Sequence, residues 1–470
     1  MTAMRVMTLG LCVTLLSGCA SAHYVTLVPG KDARDCGVTV PTADLHIGVA
    51  LSGGGSRAAL FGSAGLEALA GVRMPDGSSL LEHITHLSSV SGGSIAATHY
   101  ALRKPGKGVK VLNPDGTMTA EYQTFFKQYR EDLSQDFETP LIWRQLLSFR
   151  WINSALAART LAEILAEKLY GDARLQTVAA RETAGDSPGL IVNTTLYNNG
   201  RRLAMTSLAP EAFDYDFFAD LERELKEQGS KLTPFAWMRE RWKVIRPLTP
   251  MDIGADPCTF GMSGVVAASA SFPPLVGPIT MRVGKQESYW HAGDGGLYEN
   301  QGLETLLLLY LKQLQIKRAK RVLILGFDSS YPFSVGERKL LRRSLPFSLL
   351  TFDFSRIPSI MEERASTYSS LFFGTLQLQG VVPDPQTLTV MVLRHTDAKW
   401  AADLSDLPPA CQTETERKTF EDADDVVERI AEIPTRLVIT SECDRQLLET
   451  AARKVVAAHR DRILNFIGQQ

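Results

Sequence analysis

The sequence predicts one α/β domain, a mostly parallel sheet with helices on both sides, and three observations lead there. Short, nearly continuous apolar runs (Leu45–Leu51, Val322–Phe327 and Thr387–Leu393) read as strands covered on both faces. Two strand–turn–helix units succeed one another, and strands go on alternating with helical patterns after them. No repeat period and no long polar linker divides the chain beyond residue 43.

Taken in order, residues 1–18 form an export signal. Arg5 is their only charge, an apolar stretch runs from Met7 to Leu16, and Ser17-Gly18 supplies the small residues of a cleavage site. The apolar stretch falls short of the ~20 residues needed to span a bilayer. Residues 19–43 have no sustained period: Tyr24–Val28 is followed by Pro29-Gly30, a charged cluster and Pro41, which reads as a tether. The strand Leu45–Leu51 leads through a glycine run into a helix from Ser56 to about Ala70. A second strand from Ile84 turns at Ser91 into a helix ending near Leu102. After a Gly/Pro/Lys-rich loop at 105–118, helical patterns fill 120–180. Gly189–Tyr197 reads as a strand closed by the turn Asn198-Asn199-Gly200. Residues 207–250 look like a helical or loop insertion. Ser288–Ala292 is strand-like, and Glu442–Ile467 is a long amphipathic helix that packs on the body.

Composition excludes several classes. The chain has 470 residues, with 50 basic and 52 acidic side chains leaving a net charge of −2, so no strong nucleic-acid footprint is expected. Apolar residues at 44% and charged residues at 22% are ordinary for a globular chain. Beyond the signal, Cys19 is followed by Cys36, Cys258, Cys411 and Cys443. An oxidising compartment allows disulfides among the last four, and their spacing leaves all three pairings open. The eight histidines are scattered and no Cys/His cluster has zinc spacing, so no metal site is indicated.

The chemistry gathers at three glycine-rich turns. In Ser52-Gly53-Gly54-Gly55-Ser56-Arg57, consecutive glycines before a helix let N–H groups converge on an anion, either a phosphate or a reaction oxyanion. The spacing fits neither a P-loop nor a dinucleotide fingerprint, and a tight strand-to-helix turn is the plain alternative. In Ser88-Ser89-Val90-Ser91-Gly92-Gly93-Ser94, Ser91 has the small neighbours of a nucleophile elbow, with Ser89 where Gly is usual. Ser88, Ser89 and Ser94 compete with it, and such turns are more often structural than catalytic. In Gly293-Asp294-Gly295-Gly296, an approachable Asp ends a strand-like run, although a β-turn Asp would look the same.

Taken together and in this order, these motifs resemble the patatin-like phospholipase family. Ala267-Ala268-Ser269-Ala270-Ser271-Phe272-Pro273-Pro274 and Asn193-Thr194-Thr195 add to the likeness. The resemblance is firm over roughly 45–330 and looser beyond. Gly302 stands where many members have Pro. The resemblance implies a three-layer α/β/α sandwich over 44–470, with helical insertions near 105–185 and 207–250 and a C-terminal helical region. It implies a Ser–Asp dyad: Ser91 as nucleophile, Asp294 as general base, and Gly53, Gly54, Gly55 and Gly92 as the oxyanion hole. Arg57 would brace the loop or meet a lipid phosphate. It implies a lipid acyl hydrolase of phospholipase A or lysophospholipase type, needing no cofactor and no metal, with membrane lipids as substrate. Acyl transfer, another ester, or a catalytically weak lipid-binding lipoprotein are the alternatives. His291 is a tempting base, but reads better as a packed strand histidine.

Two further readings concern the membrane. Leu16-Ser17-Gly18-Cys19 resembles the lipobox of bacterial lipoproteins, which implies lipidation of Cys19 after cleavage. Ala20 in the next position implies an outer-membrane destination. Aromatics interleave with basic groups at Leu141–Trp151, Phe235–Lys243 and Arg342–Phe347. That composition suits a bilayer interface, and core-packed helices with basic rims suit it slightly better.

Overall fold

The computed structural model describes residues 26–27, 36, 38–148, 150, 154–229, 236–273, 276–283, 288–330, 356–378 and 382–468. The export signal, Cys19, Ala20, Phe149, Trp151, Phe235, Pro274 and Arg342–Phe347 lie outside the described residues. The strands are β1 (Thr26–Leu27), β2 (Leu45–Leu51), β3 (Ile84–Val90), β4 (Gly189–Leu196), β5 (Arg202–Met205), β6 (Ile279–Val283), β7 (Ser288–Asp294), β8 (Arg321–Asp328) and β9 (Leu388–Arg394). They form one sheet in the order β1-β6-β7-β4-β3-β2-β8-β9, with β5 also paired to β4. The ladders β1–β6, β3–β4, β2–β3, β2–β8 and β8–β9 are parallel, while β4–β5, β4–β7 and β6–β7 are antiparallel. The sheet is therefore mostly parallel, as the apolar runs predict.

Both faces are covered, and alternation along the strands shows how. In β8, Leu323, Leu325 and Phe327 join one apolar cluster while Val322 and Ile324 join the other. The first cluster carries the helices Gly55–Ala70, Gly92–Arg103 and Glu442–Gly468. The second carries Leu303–Gln315. This is the expected three-layer sandwich. The C-terminal helix lies against Gly55–Ala70, the helix that opens at the glycine run.

Two findings extend or correct the sequence reading. The described residues of 19–43 do not behave as a free tether. Thr26 and Leu27 add a short strand beside β6, Cys36 is bonded to Cys258, and the N–H of Ala43 donates to Arg318 O at 3.0 Å. The second disulfide is Cys411–Cys443, with Cα atoms 4.8 Å apart, which selects one of the three pairings.

Candidate active site

β4 carries the geometry of the site. Its residues Val192 and Asn193 pair with both β3 and β5, and Thr194 and Thr195 pair with both β5 and β7. A strand has two edges, so β3 and β7 must share the edge opposite β5. β3 runs parallel to β4 and ends at Val90, opposite Asn193. β7 runs antiparallel and ends at Asp294, opposite Thr194. The two strands thus run head-on along one edge and stop one residue apart. Ser91, the residue after Val90, meets Asp294: its Oγ donates to Asp294 Oδ2 at 2.9 Å.

Ser91 is held in an uncommon conformation, φ 50° and ψ −119°, at the N-cap of Gly92–Arg103. A non-glycine residue at positive φ costs about 1–3 kcal/mol and persists where neighbours enforce it. Here its N–H donates to Ser269 Oγ at 2.9 Å, and Ser269 Oγ donates to Asn193 O at 2.7 Å. The competing serines are fully buried and committed. Ser94 Oγ bonds to Ser89 and Ser269, Ser89 donates to Ile191 O, and Ser88 accepts from Asn193 Nδ2. Ser89 takes the usual glycine position without strain, since it lies within β3 and has no positive φ. Only Ser91 of this set reaches solvent.

Asp294 is buried, and burial pushes its carboxyl up to about 7, against the opposing hydrogen bonds from Gly296 N–H and the Ser91 hydroxyl. Gly296 N donates to Asp294 Oδ1 at 2.7 Å. A Cβ on Gly295 would fall 2.5 Å from Asn193 O, so this turn needs glycine for close approach.

The glycine loop sits against the elbow. A Cβ on Gly92 would fall 1.9 Å from Gly55 O, and one on Gly93 2.4 Å from Leu51 O. Gly54 and Gly55 have φ of +138° and +62°, a region open to glycine. Gly53 corrects the expected oxyanion set: its N–H already donates to Asn300 O at 2.8 Å, so it shapes the loop. Among the described residues, the N–H groups of Gly54, Gly55 and Gly92 have no backbone acceptor outside their own helices. Arg57 braces and does not reach out. It is buried, and its guanidinium donates to Ser329 O, Ile433 O and Thr435 Oγ1.

Other expected residues resolve as follows. His291 bonds through Nδ1 to Thr280 Oγ1 at 2.9 Å, and its odd spacing from Asp294 along β7 puts it on the opposite face. Trp242 stacks on Phe217, favouring the core reading of its segment. Ile142, Trp143, Leu146 and Leu147 are exposed instead. Gly302, at φ +71°, caps Leu303–Gln315 in a conformation closed to proline. Sequence reasoning missed Asn300 as a clasp on Gly53, and missed the roles of Ser269 and Asn193. Ser269 and Asn193 lie in the segments that carried the family likeness, whereas Asn300 lies outside them.

A positive-φ serine at a strand-to-helix turn, hydrogen-bonded to a buried aspartate on a mostly parallel α/β sheet, defines the class of architecture. Within it, the profile described as patatin-like phospholipase matches residues 49–307, over half of the chain, and the chain belongs to that family. Among solved structures, human GIVD cytosolic phospholipase A2 is similar at 13% identity and a TM-score of 0.43, covering 91% of this chain and 60% of that one. The same human protein in complex with methyl gamma-linolenyl fluorophosphonate gives 15% identity and a TM-score of 0.40, covering 94% of this chain and 62% of that one. VipD from Legionella pneumophila gives 12% and 0.27, covering 90% and 76%. The chain thus spans about three fifths of the human enzyme's length. Similarity at this level bears on neither substrate nor activity. A search of curated proteins finds no match.

Proposed function

We propose that this protein is a lipid acyl hydrolase, of phospholipase A or lysophospholipase type, working through a Ser91–Asp294 dyad. The observation that carries the reading is the 2.9 Å hydrogen bond from Ser91 Oγ to a buried carboxylate, made from an elbow that nothing but enforced geometry would hold. Asp294 takes the hydroxyl proton as Oγ attacks the ester carbonyl. The N–H groups of Gly54, Gly55 and Gly92, at two helix N-termini, receive the negative charge on the carbonyl oxygen. Losing one such donor costs about 3 kcal/mol of transition-state stabilisation. Asp294 then returns its proton to the leaving alcohol. In the second half, water attacks the acyl-Ser91 ester with Asp294 again as base, releasing fatty acid and free serine.

Membership of the patatin-like phospholipase family supports lipid esters as substrates. Two disulfides support an oxidising compartment, consistent with export and with a lipid anchor on Cys19. The test is mass spectrometry of vesicles containing both phospholipid and lysophospholipid incubated with the wild type or with Asp294→Asn. Free fatty acid from the wild type alone is expected, with lysolipid formed by a phospholipase A or consumed by a lysophospholipase. Unchanged lipids with both proteins would overturn the reading, and acyl chains moved onto another lipid would convert it to transfer.

A further inference from the structure

The glycine loop is gripped from outside the family-matched region. Residues 433–437 cross it as a strap. Ser56 N–H donates to Arg436 O at 2.7 Å, and a Cβ on Gly55 would fall 2.3 Å from that same oxygen. Arg57 reaches the strap at Ile433 O and Thr435 Oγ1. The strap's far side is clamped in turn. The Arg436 guanidinium meets the Glu138 carboxylate through three hydrogen bonds of 2.6–3.1 Å. Glu138 Oε2 also accepts from Leu437 N–H at 3.1 Å, and Phe137 N–H donates to Leu437 O at 3.1 Å. Cys443, bonded to Cys411, lies in the first turn of the helix that follows the strap.

The chain of contacts runs Glu138, Arg436, Ser56 and Gly55, and then Gly92 beside Ser91. The carbonyl of Arg436 occupies the Ser56 N–H, so its position sets where the helix N-terminus stands and where the free N–H groups of Gly54 and Gly55 aim. We propose that the Glu138–Arg436 pair positions the oxyanion loop, making both of them positioning residues for the reaction. This inference rests on the hydrolase reading above. Oxyanion donors act only when held within a fraction of an ångström of their acceptor. Loosening the strap should therefore lower the rate of the chemical step and leave ester binding alone.

The experiment compares full-length wild type with Glu138→Gln, Arg436→Ala and the reversed pair Glu138→Arg/Arg436→Glu. Ester hydrolysis gives kcat and KM, and the rate of Ser91 phosphonylation by a fluorophosphonate gives a second readout per folded molecule. The single variants should lose roughly tenfold in kcat and in phosphonylation rate with KM held. The reversed pair should recover much of both. Single variants with wild-type kcat and phosphonylation rate would overturn the positioning role alone. So would losses explained wholly by a smaller folded fraction, read by circular dichroism. A wild type that never reacts at Ser91 would overturn the hydrolase reading, and this inference with it.

Discussion

In the proposed reaction Asp294 acts as a base while buried where charge is unwelcome. Its carboxyl, ordinarily near 3.8, is pushed up to about 7 by burial. The sign of the stability effect follows. Below 3.8 the group is neutral folded and unfolded, and folding loses nothing to it. Between 3.8 and 7 the unfolded chain gains by ionising, and above 7 the native state carries the full penalty. Asp294→Asn is therefore expected to raise thermal stability at pH 8, with a gain that fades as the pH falls toward 4. The same substitution removes the proposed base, so hydrolysis should drop by orders of magnitude. In the wild type, kcat/KM should climb through about pH 7 and level off above it, because the ionised carboxylate is the active form. His291, hydrogen-bonded to Thr280 on the other strand face, should be replaceable: His291→Ala is expected to leave kcat within about twofold.

The elements deliver these side chains by pairing register. A Cβ at Gly92 would collide with the Gly55 carbonyl, so Gly92→Ala must push the two turns apart. It should abolish activity and destabilise the fold by about 1–3 kcal/mol, read by urea unfolding. The Cys411–Cys443 bridge closes a loop of 32 residues at the foot of the C-terminal helix. Its removal as Cys411→Ser/Cys443→Ser should cost about 2–4 kcal/mol. Much at this scale was legible in the sequence. The strands β2 and β8 were readable because both their faces are buried and their residues are mostly apolar, while β3 and β9 were readable from shorter apolar stretches and, for β3, from the glycine-rich turn that ends it. β5 and β6 were not: they are only four and five residues long, and the Asn198-Asn199-Gly200 turn marks where β5 starts without showing that so short a segment pairs back on β4. The direction of β7 was also hidden. A strand's residues read the same in either direction of pairing, so nothing local told that Asp294 closes a strand running against Val90. The dyad could be named from its motifs, but the head-on meeting that makes it could not. Gly53 was misassigned for a similar reason, since its acceptor, Asn300, is a long-range partner.

For the whole molecule, the C-terminal third belongs to the site as well as to the core. The strap at 433–437 lies on the glycine loop, and the helix Glu442–Gly468 lies on the helix behind it. Truncation after the family-matched region should therefore abolish folding as well as activity, seen as loss of soluble protein. Among the described residues no helix is long and apolar enough to cross a membrane. The attachment proposed from the Leu16-Ser17-Gly18-Cys19 motif is a lipid on Cys19. Cys19→Ser is expected to move the protein from the pelleted membrane fraction to the supernatant, measured by immunoblot. The exposed quartet Ile142, Trp143, Leu146 and Leu147 would hold some of it back if it also met the bilayer.

The most direct test of the central claim is the site and rate of a single covalent event. Intact protein is incubated with a fluorophosphonate across pH 5–9, and the modified peptide is identified by mass spectrometry. One adduct is predicted, on Ser91, with a rate that rises through about pH 7, survives Ser94→Ala and collapses in Asp294→Asn. An adduct on another serine, or a Ser91 rate indifferent to the loss of the Asp294 carboxylate, would contradict it.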